Sequence, residues 1–402
     1  TAGWTYKWRT AINYNNGNRV DGDQILPDPD DGPHNIMAKD GEVLAFQSSF
    51  ADAVNNLPSK GGMTAAQQQT VNRAVVNSFD LPAWLNFLAL SRLTQESDDV
   101  WANLCLYCDV NGTGTWRPMA YDVDSCMGSP FVKANLRPAN NDDIGGMSHP
   151  FYGGVRVGGS DTDSRNGNYG YEAVYQNPKF RRLMLRRLRT LMDTQLKAPG
   201  TTQANTPFWS DYVPALKAAM KADSVLDFKK WNGKDVGMDD NIDSLWNDFI
   251  AQRRTHLFET HSVDNTSFSG DGYGRAYNAC IPHAQSPLAN LKAGITAAYD
   301  ATHGAVVIKN ANAEAIDLSG WTLSGPVEMT LPAGTVSDQK LGDKDGELFV
   351  VIDRRQYVAA NTKALTDEVI SSRSSIVFFP SLSSSGRISG ESHTVFVRLS
   401  FG

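Results

Sequence analysis

The sequence predicts an α+β chain in two folded parts: a mostly helical part that carries a β-hairpin, then a C-terminal β-sandwich. Three observations predict it. Apolar residues recur at spacings of three and four through much of 64–259. Two apolar runs, 103–108 and 115–121, flank the turn sequence Asp109-Val-Asn111-Gly112 and read as a hairpin. After about residue 303 the pattern changes to period two, in short runs separated by Gly, Asp and Ser.

The 402 residues suit two or three domains, and 41% hydrophobic against 20% charged residues supplies a packed core. The 37 basic and 44 acidic residues give a net charge of −7, which argues against a general nucleic-acid binder. No apolar run approaches the length of a membrane span. The opening residues lack the Lys/Arg-then-apolar pattern of a signal peptide. The start at Thr1 rather than Met predicts a processed or trimmed piece of a longer protein.

Residues 1–60 read as loops with few strands, being rich in Asn, Asp, Gly and Pro. Their Asp-rich stretch, Asp21 to Gly32, offers carboxylates to Ca²⁺, but the bidentate Glu of an EF-hand is missing and a solvated turn is favoured. One helix is expected from Met63-Thr64 to about Val76. Asp80 can cap a second, with Pro82 in its first turn and Leu81, Leu85, Phe87 and Leu88 as its apolar face. The hairpin follows. Residues 128–170 are again loop-like.

From Asn177-Pro178 a helix is predicted to about Leu196. Phe180, Leu183, Met184, Leu188 and Leu191 face inward, and Arg181, Arg182, Arg186, Arg187 and Arg189 form a solvated face. Helices over about 208–222 and 239–259 come next. A Ser/Asn/Gly-rich connector leads to the β runs 306–308, 348–352, 376–379 and 394–399, which argue a β-sandwich of about 100 residues. The expected domains are 1–261, a linker over 262–295, and 296–402. Cys105-Leu-Tyr-Cys108 has CxxC spacing but no second pair. Buried free thiols are therefore expected for Cys105, Cys108, Cys126 and Cys280, with a local disulfide as the alternative.

Candidate chemistry concentrates between Ser97 and Gly128. Asp98 lies five residues before Asn103, and after the hairpin comes Asp122-Val-Asp124. A protein-kinase catalytic loop uses the same spacing. The Asp reaches the attacking hydroxyl, and the Asn turns back to a metal on the nucleotide phosphates. A hairpin then returns a second Asp to that metal. Carboxylate oxygens suit Mg²⁺. The plainer alternative for such short motifs is a hairpin with acidic turns.

Asp98-Asp-Val-Trp-Ala-Asn103-Leu-Cys-Leu-Tyr107, then Trp116-Arg-Pro-Met-Ala-Tyr121-Asp122-Val-Asp124-Ser-Cys-Met-Gly128, resembles the CotH kinase family of spore-coat kinases. His149-Pro150-Phe-Tyr152, Asn177-Pro178-Lys-Phe-Arg-Arg, and Trp246-Asn-Asp-Phe-Ile250 with Arg253-Arg254 extend the likeness over about 1–260. The resemblance implies a protein-kinase-like C-lobe with a β-hairpin active site. It implies Asp98 as catalytic base, Asn103, Asp122 and Asp124 as Mg²⁺ ligands, and ATP as cofactor. Asp99 takes the place of Asp98 if the register slips by one. Trp116 corresponds to an aromatic position near the nucleotide base, though a core Trp is as good a reading. Here Tyr121 stands where the family often has Trp, and Ala102-Asn103 where it has Asn-Asn. The family's N-lobe is expected to be largely missing. Lys7 and Arg9 are then the candidate phosphate contacts, and a companion chain the candidate source of the lobe.

Ala315-Ile-Asp317-Leu-Ser319-Gly320-Trp321-Thr-Leu323, Leu331-Pro332-Ala-Gly334-Thr-Val336 and Leu348-Phe-Val-Val resemble a lamin-tail domain. That implies an immunoglobulin-like sandwich and an extracellular or surface protein, bacterial in origin. The expected function is transfer of phosphate from ATP to a protein Ser or Thr. The alternative is a non-catalytic surface protein that uses the kinase-like fold as scaffold and the β-sandwich for interactions.

Overall fold

The computed structural model describes residues 4–8, 25–27, 64, 66, 75, 79–96, 104–108, 115–121, 123, 126–127, 174, 178–232, 242–243, 245–260, 293–300, 305–312, 315–324, 329–337, 347–351, 375–378 and 398–400. The connector over 262–290, the Asp21–Gly32 stretch apart from 25–27, and the hairpin turn at 109–112 lie outside the described residues.

Near the N-terminus, β1 (Trp4–Trp8) and β2 (Ile25–Pro27) pair antiparallel. The hairpin strands β3 (Leu104–Cys108) and β4 (Trp116–Ala120) join them in the order β2-β1-β3-β4. Prolines stand in both outer strands, Pro27 opposite Tyr6 and Pro118 opposite Leu106. Leu106 and Trp116 are fully buried.

Helix α1 (Leu81–Thr94) begins as the sequence predicts. The Asp80 side chain accepts from the Ala83 N–H at 3.3 Å, and Pro82 occupies the first turn, where its missing N–H costs nothing. It ends on Gln95, held in the left-handed region at φ 58°, whose N–H is bonded to the Ser91 carbonyl. Leu81, Trp84, Leu85, Leu88 and Ala89 are buried at spacings of three and four. This face packs against α2 (Pro178–Leu191), which runs on into a π-helical turn, Met192–Leu196. Phe180, Leu183, Met184, Leu188 and Leu191 of α2 are buried as expected.

The arginine face of α2 needs correction. Arg186 is fully buried, and Arg187 forms an ion pair with Asp317 at 3.0 Å. The side of α2 that the sequence assigns to water is covered by two short strands of the C-terminal part. Arg189 bonds Asp193 at 3.1 Å one turn on, and its guanidinium lies 5.0 Å from the centre of the Phe258 ring.

Helix α3 (Val213–Asn232) follows a π-helical turn, Phe208–Tyr212, and extends ten residues past the expected end. The last helical stretch runs through Leu245–Ile250, α4 (Ala251–Thr255) and His256–Thr260. Arg254 pins it to its neighbours. Its Nε donates to the Leu196 carbonyl at 2.7 Å, Nη1 to the Thr201 carbonyl at 2.7 Å, and Nη2 to the Thr206 hydroxyl at 3.0 Å. Burial draws its pKa below the ordinary arginine value, and the Trp246 ring stacks 4.5 Å from the guanidinium carbon. Among the described residues, no helix is long and apolar enough to cross a membrane.

The C-terminal part is made of short strands, as the period-two pattern predicts. β5 (Ile295–Asp300), β6 (Ala305–Asn310), β11 (Glu347–Val351) and β12 (Ser375–Phe378) form one sheet in the order β12-β11-β6-β5, with only β11 and β12 parallel. β8 (Thr322–Ser324), β9 (Met329–Thr330) and β13 (Arg398–Ser400) form a second, in the order β13-β8-β9. β7 (Ile316–Asp317) pairs with β10 (Val336–Ser337). Val306, Ile308, Ile316, Leu318, Trp321, Leu323 and Leu331 share one buried cluster, so Trp321 is core as the sequence predicts. Mixed helix and strand content makes the chain α+β.

Arg254→Met should destabilise the chain by about 3 kcal/mol, because the charged bonds to Leu196, Thr201 and Thr206 are lost while similar apolar bulk remains. Arg254→Lys should recover only part, since an ammonium cannot reproduce the fork. Urea unfolding monitored by circular dichroism checks both.

Candidate functional site

The hairpin register decides which parts of the chain meet. Leu104 pairs with Ala120, Leu106 with Pro118 and Cys108 with Trp116. The start of β3 and the end of β4 therefore lie at the same end of the sheet. Asn103 is the residue before Leu104, and Asp122 is two beyond Ala120. Asp98, Asn103, Asp122 and Asp124 themselves lie outside the described residues, as does Asp99. The described neighbours of Asp122 are Tyr121 and Val123, both exposed.

Helix α1 brackets the acidic segment from both sides. At its N-terminal end the Trp116 carbonyl accepts two bonds, from the Asp80 N–H at 2.8 Å and from the Trp84 indole N–H at 3.0 Å. Phe79 forms a parallel bridge to Trp116 and stacks on Trp84 at 4.8 Å. At its C-terminal end the Thr94 carbonyl accepts from the Met127 N–H at 2.7 Å. The chain thus leaves one end of α1 along β4, passes the Asp122-Val-Asp124 motif, and is caught again at the other end. Met127 reaches that bond with φ 52°, a left-handed conformation uncommon for a side chain of its size.

Electrostatics reinforce the first attachment. Arg117 of β4 pairs with Asp80 at 2.9 Å, so the helix cap and the strand share one carboxylate. Burial raises the Asp80 pKa above its ordinary value of 3.8, against the opposing pull of the Arg117 guanidinium and the Ala83 N–H.

Trp116 is fully buried. Lys7 is the fourth of the five residues of β1, registered between Leu26 of β2 and Cys105 of β3, and Cys105 is in turn opposite Met119. Lys7 therefore belongs to the same sheet as the hairpin, one position from the Trp8–Leu104–Ala120 row at the site end. Arg9 lies outside the described residues. Cys126 is half-buried.

Among the described residues, no three His, Cys, Asp or Glu side chains gather as a metal site. The donors of the acidic motif are all carboxylate or amide oxygens, a set that suits Mg²⁺ and not a soft metal. Sequence reasoning found the cap Asp80 but missed its partner Arg117 and the anchors Trp84, Thr94 and Met127. Nothing local marks these four, because each acts through a backbone group or a residue distant in the chain.

Asp80→Ala should cost about 1 kcal/mol through the lost cap, whereas Asp80→Asn should keep it. A raised pKa means that the folded chain holds this proton more tightly than the unfolded chain does. Its stabilising effect is full below pH 3.8 and is lost as pH rises through the folded value. The stability of the native chain relative to Asp80→Asn should therefore fall as pH rises from below 4 toward neutrality. Urea midpoints at stepped pH values check the sign, and a difference that grows with pH would contradict it.

A family model for CotH kinase protein matches residues 44–257, a stretch that contains α1, the hairpin, the acidic motif and α2. Searches of curated proteins and of solved structures return no match. Because the matched stretch is more than half of the chain, this protein belongs to the CotH kinase family.

Proposed function

We propose that the chain is an atypical kinase domain that transfers a phosphoryl group from ATP to a Ser or Thr hydroxyl of a protein. The observation that carries the reading is the bracketed hairpin. Its register directs the chain after Ala120 and the chain before Leu104 to one end of the sheet, and the family match spans both. Asp98 acts as base toward the acceptor hydroxyl, and Asn103, Asp122 and Asp124 offer oxygen ligands to Mg²⁺. When bound, Mg²⁺·ATP supplies the phosphoryl group and neutralises the charge that develops on it. Phosphoryl transfer asks little covalent chemistry of a protein, so positioning and charge are its main contributions.

Lys7 is the proposed phosphate contact from the adjacent strand. A companion chain that brings a further Lys or Arg over the acidic pair would complete the nucleotide clamp. The period-two strands and the buried Trp321 support an immunoglobulin-like, lamin-tail reading of the C-terminal part, and with it an extracellular or surface location.

Asp98→Ala, which removes the positioned base, and Asp122→Ala, which removes a Mg²⁺ ligand, should each lower phosphoryl transfer by at least about 10²-fold without lowering the unfolding midpoint. Incubation with Mg²⁺·ATP and a Ser/Thr-rich acceptor, followed by intact-mass analysis, reads the transfer. Activity that survives both substitutions would place the chemistry elsewhere. Calorimetry of the chain alone with Mg²⁺·ATP tests the companion: micromolar binding would show that none is needed.

A further inference from the structure

The C-terminal β part is seated directly on the helices that hold the hairpin. The turn Pro332–Thr335 meets the first turns of α1 so closely that a Cβ on Gly334 would collide with the Pro82 carbonyl and lie 3.1 Å from the Asn86 nitrogen. Gly334 also has φ +90°, so both its space and its conformation call for glycine. Beside it, Arg187 of α2 spans the seam. Its Nη1 donates to Asp317 Oδ2 at 3.0 Å, and its Nε donates to Asn86 Oδ1 at 2.9 Å. Asp317 Oδ1 accepts from the Ser319 N–H at 2.9 Å and from the Ser319 hydroxyl, whose oxygen accepts in turn from the Gly334 N–H at 2.9 Å. Arg187, Asp317, Ser319 and Gly334 form one bonded chain, and its ion pair is nearly dry, with side chains 12% and 2% exposed.

Pro82 and Asn86 lie within one or two turns of Asp80 and Trp84, the two groups that hold the Trp116 carbonyl. We propose that this seat makes the β part a positioning element of the hairpin. The Asp317–Gly334 turn fixes the N-terminal turns of α1, and α1 fixes both ends of the segment that carries Asp122 and Asp124. Arg187 and Gly334 are its positioning residues. The consequence for phosphoryl transfer rests on the reading of the site given above; the mechanical link from turn to hairpin does not. A displacement near one ångström is enough to impair a positioned site, so a brace at this distance can act on chemistry it never touches.

The test uses the full chain with an engineered protease site between 262 and 292, cut after folding. The cut native chain should elute from size exclusion as one species. Arg187→Met should let the halves separate, and should make the amides of Trp116, Arg117, Met119 and Ala120 exchange about tenfold faster, an ordinary size for coupling between sites. Asp317→Asn, which still accepts from Ser319, should show a smaller effect, and Arg187→Lys should restore part of the protection. Gly334→Ala should act like Arg187→Met but also strains its own turn, so the Arg187 series decides. Separation of the cut native halves would overturn the proposal. So would an Arg187→Met chain whose exchange rises within 316–337 but not at 116–120. Mg²⁺·ATP affinity should fall together with the protection of 116–120. Absence of nucleotide binding by the native chain, with the exchange effect intact, would overturn nucleotide binding by this chain alone and leave the positioning role standing.

Discussion

The carbonyl of Trp116 is the point on which the helical part depends. A carbonyl oxygen has two lone pairs, and both are used here, by the Asp80 N–H and the Trp84 indole. The first bond uses an amide next to the helix start, just where helices have amides to spare. The second uses a group that a buried Trp must satisfy somewhere. Burying that carbonyl without partners would cost on the order of 1–3 kcal/mol. Strand β4 is therefore locked to α1 in depth and in register, and the segment after Ala120 inherits its direction from that lock.

Arginines are the second principle of the helical part. Arg92, Arg186, Arg253 and Arg254 are all buried. Three of them are bonded to backbone carbonyls: Arg92 to that of Glu96, Arg253 to that of Arg92, and Arg254 to those of Leu196 and Thr201. Several of these carbonyls sit at helix ends, where no further helical amide is available to meet them. A guanidinium has five donors in a planar fork and can serve two or three such groups at once. The ends of α1 and of the 178–196 helix are thus held from the side.

This use of arginine is also what the sequence conceals. Periodicity finds α1, α2 and their apolar faces, since Leu81, Leu85 and Leu88, or Leu183, Leu188 and Leu191, need only local spacing to be recognised. It finds the hairpin strands to within a residue, and the β runs near 306, 348 and 376. It treats arginine as a surface residue. It therefore cannot see that Arg186 is buried, or Arg187 in a seam with a residue 130 positions away. The hairpin end was legible because its residues lie close together in the chain. The brackets at Trp84, Thr94 and Met127 were not, because a bond to a backbone carbonyl leaves no mark on the residue that offers it.

The prolines of the outer strands have a consequence for assembly. Sheet edges normally invite an extra strand, since each carries a row of unsatisfied donors and acceptors. In this sheet β4 forms one margin, with Pro118 unable to donate and Phe79 already bridged to Trp116. Strand β2 forms the other, only three residues long and closing on Pro27. Both margins are poor templates for strand addition. A second polypeptide that approaches the hairpin is therefore steered away from zipping onto the sheet and toward side-chain contacts above it. Such a partner could come and go without breaking a ladder of backbone bonds.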